Sequence, residues 1–331
     1  MLIFKTYNDT PDVWDTLLRK NNYYDVRHSY NYYKYLKIIN QKSIITAYLV
    51  YRDKQNKDNL IGQFIVKKKK YLFFNIIYIY CGPSNIENYL IEFSPKTIIN
   101  QLKVNKWLSY IRFKSFLPES EVIDKKNYLN NWKRIINFEE NLFIDLKQSV
   151  TCLKKNLSRN WRHNFYRSKK NLLETKILKF SEFNKIFLLY EEMCKIKKID
   201  MPFSKPDFEQ FCNIFKNDIL TIAAYSNGRI VSVRSAVIFH DKALDIFAAT
   251  SLEGRSNFAS YRLLWEIILL CKRKKIRTLD LNGIDKKKNL GVYNFKIGVG
   301  GTIYKPLGVL EFYNLKFLLF FSNFFLKLIK K

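Results

Sequence analysis

Hydrophobic and polar residues follow two alternating patterns along the chain, one with the period of a strand and one with the period of a helix. Two groups of three consecutive runs are rich in β-branched and aromatic residues, which favours strands joined as meanders. Asn227 and Gly228, between two runs of the second group, form a dipeptide typical of a tight hairpin. The predicted strands are 43–52, 59–68 and 71–82 in the first group, and 219–228, 229–240 and 242–250 in the second.

The clearest helical pattern spans residues 149–173. Apolar residues recur there at every fourth position, and every charged residue among the other positions is cationic. We therefore predict a single helix that turns one apolar stripe toward the core and a basic face outward. The stripe consists of Leu153, Leu157, Trp161 and Phe165.

The order of the predicted elements repeats along the chain. Each half has a strand and a helix, then a meander, then a helix and a strand, so element order predicts two domains of similar mixed α/β structure. We place the boundary near residue 147, with a first lobe over 1–147 and a second lobe over 148–304.

Charge indicates the kind of partner to expect. The 331 residues include 58 Lys and Arg against 29 Asp and Glu, a formal net charge of +29. The heavy use of Lys, Asn, Ile, Phe and Tyr is that expected of an AT-rich genome, and this bias accounts for part of the excess. The remainder favours polyanions such as nucleic acid, nucleotide phosphates or anionic lipid headgroups.

Cysteine and histidine usage argues against a disulfide framework and against a metal site. The 5 cysteines are widely spaced and odd in number, and only 3 histidines are present. The N-terminus lacks the pattern of a signal peptide, and no uncharged apolar run is long enough to span a bilayer. We therefore expect a cytoplasmic protein without a bound metal, soluble or at most peripheral at the inner face of the membrane.

Three segments of the second half carry a resemblance to a known family. They are the basic segment 153–171, the strand–turn–helix segment 243–268, and the signature RTLDLNGID followed by GVYNFKIGVGG. Together they resemble the Fem-type (FemAB-like) aminoacyltransferases and their relatives with a BioF2-like acyltransferase domain. The signature is the most specific of the three, although Val299 stands where the family pattern has an aromatic residue. The long coiled-coil arm of some members has no counterpart in this sequence.

The resemblance implies a fold. It would be α+β, with tandem GNAT-like (acyl-CoA N-acyltransferase) lobes, each a mixed, mostly antiparallel sheet flanked by helices. Residues 305–331 would return to the first lobe.

The resemblance also implies a reaction, the transfer of an aminoacyl or acyl group to an amine of a cell-envelope precursor. That acceptor would be nucleotide-linked or lipid-linked, as in peptidoglycan synthesis. The donor would be aminoacyl-tRNA or acyl-CoA, a co-substrate rather than a permanently bound cofactor. One alternative is an acyl-CoA-dependent N-acyltransferase of a nucleotide sugar or surface polysaccharide. The other is a basic nucleic-acid-binding protein.

Amide formation from an ester or thioester needs no enzyme nucleophile, because the acceptor amine attacks the carbonyl itself. The site must hold both substrates, stabilise the oxyanion and accept a proton. Position in the family signature assigns Lys296 to the reacting carbonyl or an adjacent phosphate. Candidate roles in proton transfer or hydrogen bonding fall to Asp280, Asp285 and Tyr293.

The basic helix is a candidate phosphate-binding surface. Arginine is otherwise scarce in this lysine-biased chain, yet Arg159, Arg162 and Arg167 concentrate here. The guanidinium group suits bidentate contact with phosphate. We therefore expect this helix to bind the phosphates of a substrate.

The turn before the helix predicted at 257–274 is a second candidate. Gly254, Arg255 and Ser256 would offer backbone N–H groups to a phosphate at the N-terminus of that helix. The remaining candidate binding residues are Phe295, Gly300 and Gly301.

The last segment, 312–331, is the most apolar part of the chain and has cationic ends. The family topology implies packing on the first lobe. Its excess of Phe also suggests a hypothesis of peripheral contact with an anionic membrane.

Overall fold

The computed structural model describes residues 2–20, 24–54, 57–71, 73–84, 91–122, 129, 131–136, 140–171 and 173–315. The chain divides into two compact units. The first comprises Met1–Glu139 and Lys305–Lys331, and the second comprises Glu140–Tyr304.

The first unit is built on one sheet. Its strands are β1 (Leu2–Thr6), β2 (Ile44–Lys54), β3 (Lys57–Tyr71), β4 (Phe74–Ser84), β5 (Ser109–Pro118), β6 (Arg134–Ile136) and β14 (Pro306–Tyr313). They lie in the order β1-β2-β3-β4-β5-β14-β6, and among the described strands of this sheet only β4 and β5 are parallel neighbours. The helices are α1 (Pro11–Arg19), α2 (Tyr30–Ile39) and α3 (Pro95–Gln101), with 3-10 turns at Val26–His28 and Glu119–Glu121.

Aromatic packing forms the core of the first unit. The ring of Phe64 contacts Phe4 at 5.0 Å and Phe93 at 5.4 Å between centroids, and Phe93 contacts Phe113 at 5.5 Å. All four side chains are buried. Tilted and edge-to-face pairs of this kind add to the hydrophobic gain from burial.

The second unit is built on a second sheet. Its strands are β7 (Glu140–Asp145), β8 (Glu174–Ile177), β9 (Ile219–Ser226), β10 (Arg229–Phe239), β11 (Lys242–Thr250), β12 (Thr278–Ile284) and β13 (Thr302–Tyr304). They lie in the order β13-β7-β12-β11-β10-β9-β8, with β11 and β12 as the parallel pair. The helices are α4 (Val150–Asn156), α5 (Arg159–Lys170), α6 (Phe183–Lys197), α7 (Lys205–Ile214), α8 (Leu252–Ser256), α9 (Ala259–Arg273) and α10 (Leu290–Ile297), with a 3-10 turn at Phe180–Glu182.

The two sheets share one plan. In each, four antiparallel strands are followed by a fifth strand that is parallel to the fourth, and then by two more antiparallel strands. β14 lies beside β5 in the first sheet as β7 lies beside β12 in the second. The fold class expected from the sequence, α+β with mixed and mostly antiparallel sheets flanked by helices, is therefore confirmed.

The division between the units falls before β7, whereas the sequence analysis placed residues 140–147 in the first lobe. β7 pairs with β12 and β13 in the second sheet. Its alternate residues Leu142 and Ile144 are buried in the core of the second unit, which explains the difference.

The helix predicted over 149–173 is two helices, so that prediction is wrong in one respect. The chain turns at Leu157, whose ψ of 133° is extended, and Ser158 then caps α5 by accepting a hydrogen bond from the N–H of Trp161. Serine at this position favours a new helix start. The predicted stripe is correct, because Leu153, Leu157, Trp161 and Phe165 are all buried.

Helix α9 packs against this stripe and carries an apolar face of its own. Trp161 and Phe165 contact Trp265 of α9 at 6.4 and 5.5 Å between ring centroids. The buried face of α9 includes Leu263, Leu264, Ile267, Ile268 and Cys271. The core of the second unit therefore lies between α5, α9 and the sheet.

None of the described helices combines the length and the apolar composition needed to cross a bilayer. The membrane hypothesis for 312–331 falls mostly on residues 316–331, which lie outside the described residues.

Candidate active site

The parallel strands of the second sheet separate partway along their length. β11 and β12 pair over Lys242–Leu244 and Thr278–Asp280, and no later pair joins them within the described residues. Beyond that point β11 continues beside β10, and β12 continues beside β7. Ligand sites in α/β sheets tend to lie at the carboxyl ends of strands, so this divergence marks the place to look for a site.

Lys296 lies at the divergence. It stands near the end of α10, and its Nζ donates a 2.7 Å hydrogen bond to the carbonyl oxygen of Gly283 on β12. The N-terminus of α10 is fixed by Asn289, whose side chain accepts a hydrogen bond from the N–H of Val292. A half-buried ammonium group held in this way can stabilise negative charge that develops nearby.

Asn282 occupies the same part of β12. Its φ of +64° places the backbone in the left-handed region, which Asn adopts more readily than most residues. Its side-chain Nδ2 donates a 3.5 Å hydrogen bond to the carbonyl oxygen of Asp245 on β11, across the divergence. Asn282 was not a candidate in the sequence analysis.

Phe295 and the strand beneath it form a second layer of the site. The backbone oxygen of Phe295 accepts a 3.1 Å hydrogen bond from Nε1 of Trp161, and its ring lies 5.0 Å from that of Tyr261. The guanidinium of Arg234 lies 5.4 Å from the Phe295 ring. Phe295 thus joins the basic helix α5 to a buried cation on β10.

Arg234 forms a buried ion pair with Asp245. Its Nε and Nη2 atoms donate hydrogen bonds of 2.9 and 2.7 Å to the two carboxylate oxygens, and the side chains are 5% and 8% exposed. Bidentate geometry of this kind is the strong form of the interaction. Neither residue was a candidate from sequence, although each is a single charge within an otherwise uncharged stretch of its strand.

The two candidate carboxylates support local structure. Asp280 is buried and accepts hydrogen bonds from Asn141 Nδ2 at 2.9 Å and from the N–H of Asn282 at 2.6 Å. Asp285 accepts bonds from the N–H groups of Lys287 and Lys288, and these bonds, that of Lys288 first, lower the pKa of its carboxyl. A lowered pKa makes Asp285 a weaker base for the acceptor amine.

Tyr293 is half-buried and packs against the core of the second unit. Its backbone N–H bonds to the oxygen of Asn289 within α10. Within the described residues its hydroxyl has no hydrogen-bond partner, so this group stays a candidate for contact with a substrate.

Gly300 and Gly301, candidates for binding substrate or phosphate, allow close backbone packing. Gly300 has a φ of +81°, and a Cβ there would lie 2.5 Å from the oxygen of Asn156 at the end of α4. A Cβ on Gly301 would lie 2.6 Å from the oxygen of Phe143 on β7. The N–H of Gly300 donates a 3.1 Å hydrogen bond to the backbone oxygen of Ile297, so this group is not free to bind a phosphate.

The second candidate phosphate site was predicted in a turn before a helix. Gly254, Arg255 and Ser256 instead lie inside the short helix α8. Ser251 caps this helix by accepting a hydrogen bond from the N–H of Gly254 at 3.1 Å. The N–H of Arg255 bonds to the backbone oxygen of Ser251, and Ser256 Oγ donates to Glu253. The N–H donors of Gly254 and Arg255 are therefore used within the helix and its cap.

Gly254→Ala should lower the free energy of unfolding by about 1–3 kcal/mol, because a Cβ would lie 2.2 Å from the oxygen of Val231 and must displace it. Chemical denaturation would measure the change. Gly291→Ala is the matched control, since its nearest neighbour would be 3.6 Å away and the substitution should be neutral or slightly stabilising. Equal stability of the two variants would contradict the packing role of Gly254.

The predicted phosphate-binding arginines lie on the outer face of α5. Arg159, Arg162 and Arg167 are exposed, and the Arg167 guanidinium lies 4.1 Å from the ring of Phe258. Their exposure leaves these side chains accessible to a polyanion, and the role in phosphate binding stays a prediction.

A cleft of ≈ 690 Å³ lies within the second unit beside these helices. Phe165 and Trp265 are among its lining residues. The one carboxylate among them, that of Glu266, accepts a 2.9 Å hydrogen bond from Nε of Arg262. The cations lining it are Lys154, Lys169, Lys176, Arg262 and Arg273. The cleft therefore has the charge of a site for a phosphorylated ligand. In the part of the chain that the structure describes, no three His, Cys, Asp or Glu side chains cluster as metal ligands would.

The fold is that of tandem GNAT-like structures. It matches the crystal structure of FemX with a TM-score of 0.77 at 11% identity, covering 99% of this chain and 100% of that one. A tandem GNAT protein from the clavulanic acid biosynthesis pathway matches with a TM-score of 0.54 at 8% identity, covering 94% and 98%. The C-terminal domain of a putative lysylphosphatidylglycerol synthetase from Agrobacterium fabrum matches with a TM-score of 0.54 at 9% identity, covering 78% and 85%.

Sequence comparison relates part of the chain to a known family. Residues 221–327 match the model of the FemAB family, a segment that includes the divergence and Lys296. The resemblance to FemAB-like proteins expected from the sequence is thus confirmed. No curated protein sequence matches the chain significantly.

Proposed function

We propose that this chain is an N-acyltransferase that transfers an aminoacyl group from aminoacyl-tRNA to an amine of a cell-envelope precursor. The observation that carries the proposal is the Lys296 ammonium, held 2.7 Å from the Gly283 carbonyl at the divergence of β11 and β12. A fixed cation at this place suits the oxyanion that forms when an amine attacks an ester. The match of residues 221–327 to the FemAB family supports the same chemistry.

The donor site favours an RNA ester over a CoA thioester. A CoA pyrophosphate needs free backbone N–H groups after β11, and in this chain those of Gly254 and Arg255 are bonded within α8. The exposed arginines of α5 and the cationic cleft beside it suit a longer polyanion. Transfer from acyl-CoA to a nucleotide sugar or surface polysaccharide remains the alternative that the experiment must distinguish.

The acceptor is proposed to be a nucleotide-linked or lipid-linked precursor such as that of peptidoglycan. FemX and the putative lysylphosphatidylglycerol synthetase both have this fold. The attacking amine must lose a proton. Asp285 is poorly suited to accept it because its pKa is lowered, so we propose that a substrate group or water takes the proton, with Tyr293 as a hydrogen-bonding partner.

The test supplies both donors to the purified chain and measures the product by intact mass. One reaction contains total tRNA charged with mixed amino acids, the other contains a mixture of acyl-CoA thioesters, and each contains a UDP-linked muramyl pentapeptide. We expect the acceptor to gain the mass of an aminoacyl residue with charged tRNA only, and uncharged tRNA is the control.

Acyl transfer from CoA without transfer from tRNA would support the alternative donor and contradict the proposal. Tight binding of tRNA with no transfer from either donor would instead indicate a nucleic-acid-binding protein.

A further inference from the structure

One end of the sheet in the first unit exposes large apolar side chains. Ile44, Phe73 and Trp107 are 65%, 71% and 59% exposed. They come from the start of β2, the turn between β3 and β4, and the loop before β5. Single exposed apolar residues are common on protein surfaces, but a group of them indicates an interaction site.

The contacts of the sheet bring these residues to one place. Ile44 pairs with Lys68 across β2 and β3. The N–H of Asn75, at the start of β4, donates a 2.7 Å hydrogen bond to the backbone oxygen of Leu108. A cleft of ≈ 750 Å³ at this end is lined in part by Ile44, Phe73 and Asn105, so the three segments form one surface.

This surface carries a high density of positive charge. The segments 41–44, 68–75 and 103–108, which we call the lysine-rich end, contain no Asp or Glu. The ammonium of Lys106 lies 5.8 Å from the ring of Trp107. The lysines of the lysine-rich end are Lys42, Lys68, Lys69, Lys70, Lys103 and Lys106.

We propose that the lysine-rich end of the first unit docks on an anionic lipid surface. Lysine and tryptophan side chains suit the membrane interface, because each combines an apolar body with a polar or charged tip. Anionic headgroups would balance the lysines, and the acyl region would cover Ile44 and Phe73. A nucleic acid would balance the charge but would leave the aliphatic side chain of Ile44 in water.

The end of the chain does not supply negative charge that could balance the lysines of the lysine-rich end. Asn314 lies at this end of the sheet, since its Nδ2 donates a 2.8 Å hydrogen bond to the backbone oxygen of Lys106. The sequence that follows, 316–331, contains several lysines and no acidic residue. Any approach of that segment to the lysine-rich end would therefore add to the positive charge, which favours an external anionic partner.

Co-sedimentation of the full chain with lipid vesicles tests the proposal. Vesicles of phosphatidylcholine alone are compared with vesicles that also contain phosphatidylglycerol, and we expect binding only to the second kind. A triple substitution, Lys68→Gln, Lys70→Gln and Lys106→Gln, should weaken that binding about fivefold per lysine, on the order of a hundredfold in all. The control changes three exposed lysines of the second unit, Lys195, Lys205 and Lys274, to Gln, and so lowers the net charge by the same amount as the triple substitution.

The apolar contribution is tested separately. Phe73→Ser with Trp107→Ser should also weaken binding, whereas Leu188→Ser with Leu252→Ser should not, although the latter pair is similarly exposed at 62% and 61% in the second unit. Circular dichroism and thermal melting check that each variant is folded. The assay contains no acyl donor, so its result does not depend on the proposed reaction.

Three outcomes would overturn the proposal. The first is a wild-type chain that does not bind vesicles with phosphatidylglycerol. The second is a Lys68, Lys70 and Lys106 variant that binds as well as its charge-matched control. The third is loss of binding in a Phe320→Ser, Phe324→Ser variant while the Phe73 and Trp107 variant binds normally, which would assign the contact to the final residues.

Discussion

Arg234→Ala should lower the free energy of unfolding of the second unit by about 3–5 kcal/mol, because it leaves the Asp245 carboxylate buried without its partner. The same change removes the guanidinium that lies 5.4 Å from the Phe295 ring. Chemical denaturation, with hydrogen exchange of the second unit as an independent measure, would quantify the loss.

Two further variants show whether the loss comes from the unpaired charge. Arg262→Ala breaks an ion pair with Glu266 whose side chains are 25% and 27% exposed, and should cost no more than about 1 kcal/mol. Arg234→Met combined with Asp245→Leu removes both charges and should recover most of the stability. If Arg234→Ala were as stable as Arg262→Ala, the buried pair would not have the importance that its geometry suggests.

Lys296→Met should lower kcat for acyl transfer by about 10²–10³-fold, the usual effect of removing one donor from an oxyanion site. Methionine keeps most of the packing of the lysine stem but loses both the charge and the hydrogen bond to Gly283. The measurement is the initial rate of product formation with charged tRNA, together with the melting temperature of the variant.

The control for this prediction is Lys195→Met on α6, whose side chain is 74% exposed and whose change should leave the rate unaltered. A Lys296→Met enzyme with a normal rate but a lower melting temperature would contradict the proposed role. It would show that Lys296 serves only to hold α10 against β12.

Much of the fold could be predicted because it depends on local patterns. The predicted hairpin at Asn227 and Gly228 is present, and both residues have the positive φ, +49° and +75°, that a tight primed turn requires. The apolar stripe of 149–173 was also correct, since a period of about four residues continues across the corner at Ser158. The corner itself was missed because Ser in a helical pattern signals a new start only when the preceding residue is extended.

The candidate site was harder to predict because it depends on contacts between distant residues. Lys296 was found from its motif, but its partner Gly283 becomes evident only when α10 packs on β12. Arg234 and Asp245 are 11 positions apart in the sequence. The register between their strands shifts between Ser235 and Ala236, so regular alternation along the strands does not predict that the two side chains meet. The glycines at 254, 300 and 301 looked like phosphate binders because sequence alone does not distinguish a free N–H group from a close backbone contact.

Two hydrogen bonds join α5 to the turn and helix that carry Lys296. The N–H of Ser158 donates to the oxygen of Gly298 at 2.9 Å, and Trp161 Nε1 donates to the oxygen of Phe295 at 3.1 Å. Gly298 has little room for a side chain between them, because a Cβ would lie 3.0 Å from Ser158 Oγ and 3.1 Å from the Trp161 ring. Helix α5, which carries the exposed arginines, and helix α10, which carries Lys296, are therefore held together at one contact. A tilt of α5 would move α10, and with it the Lys296 ammonium group.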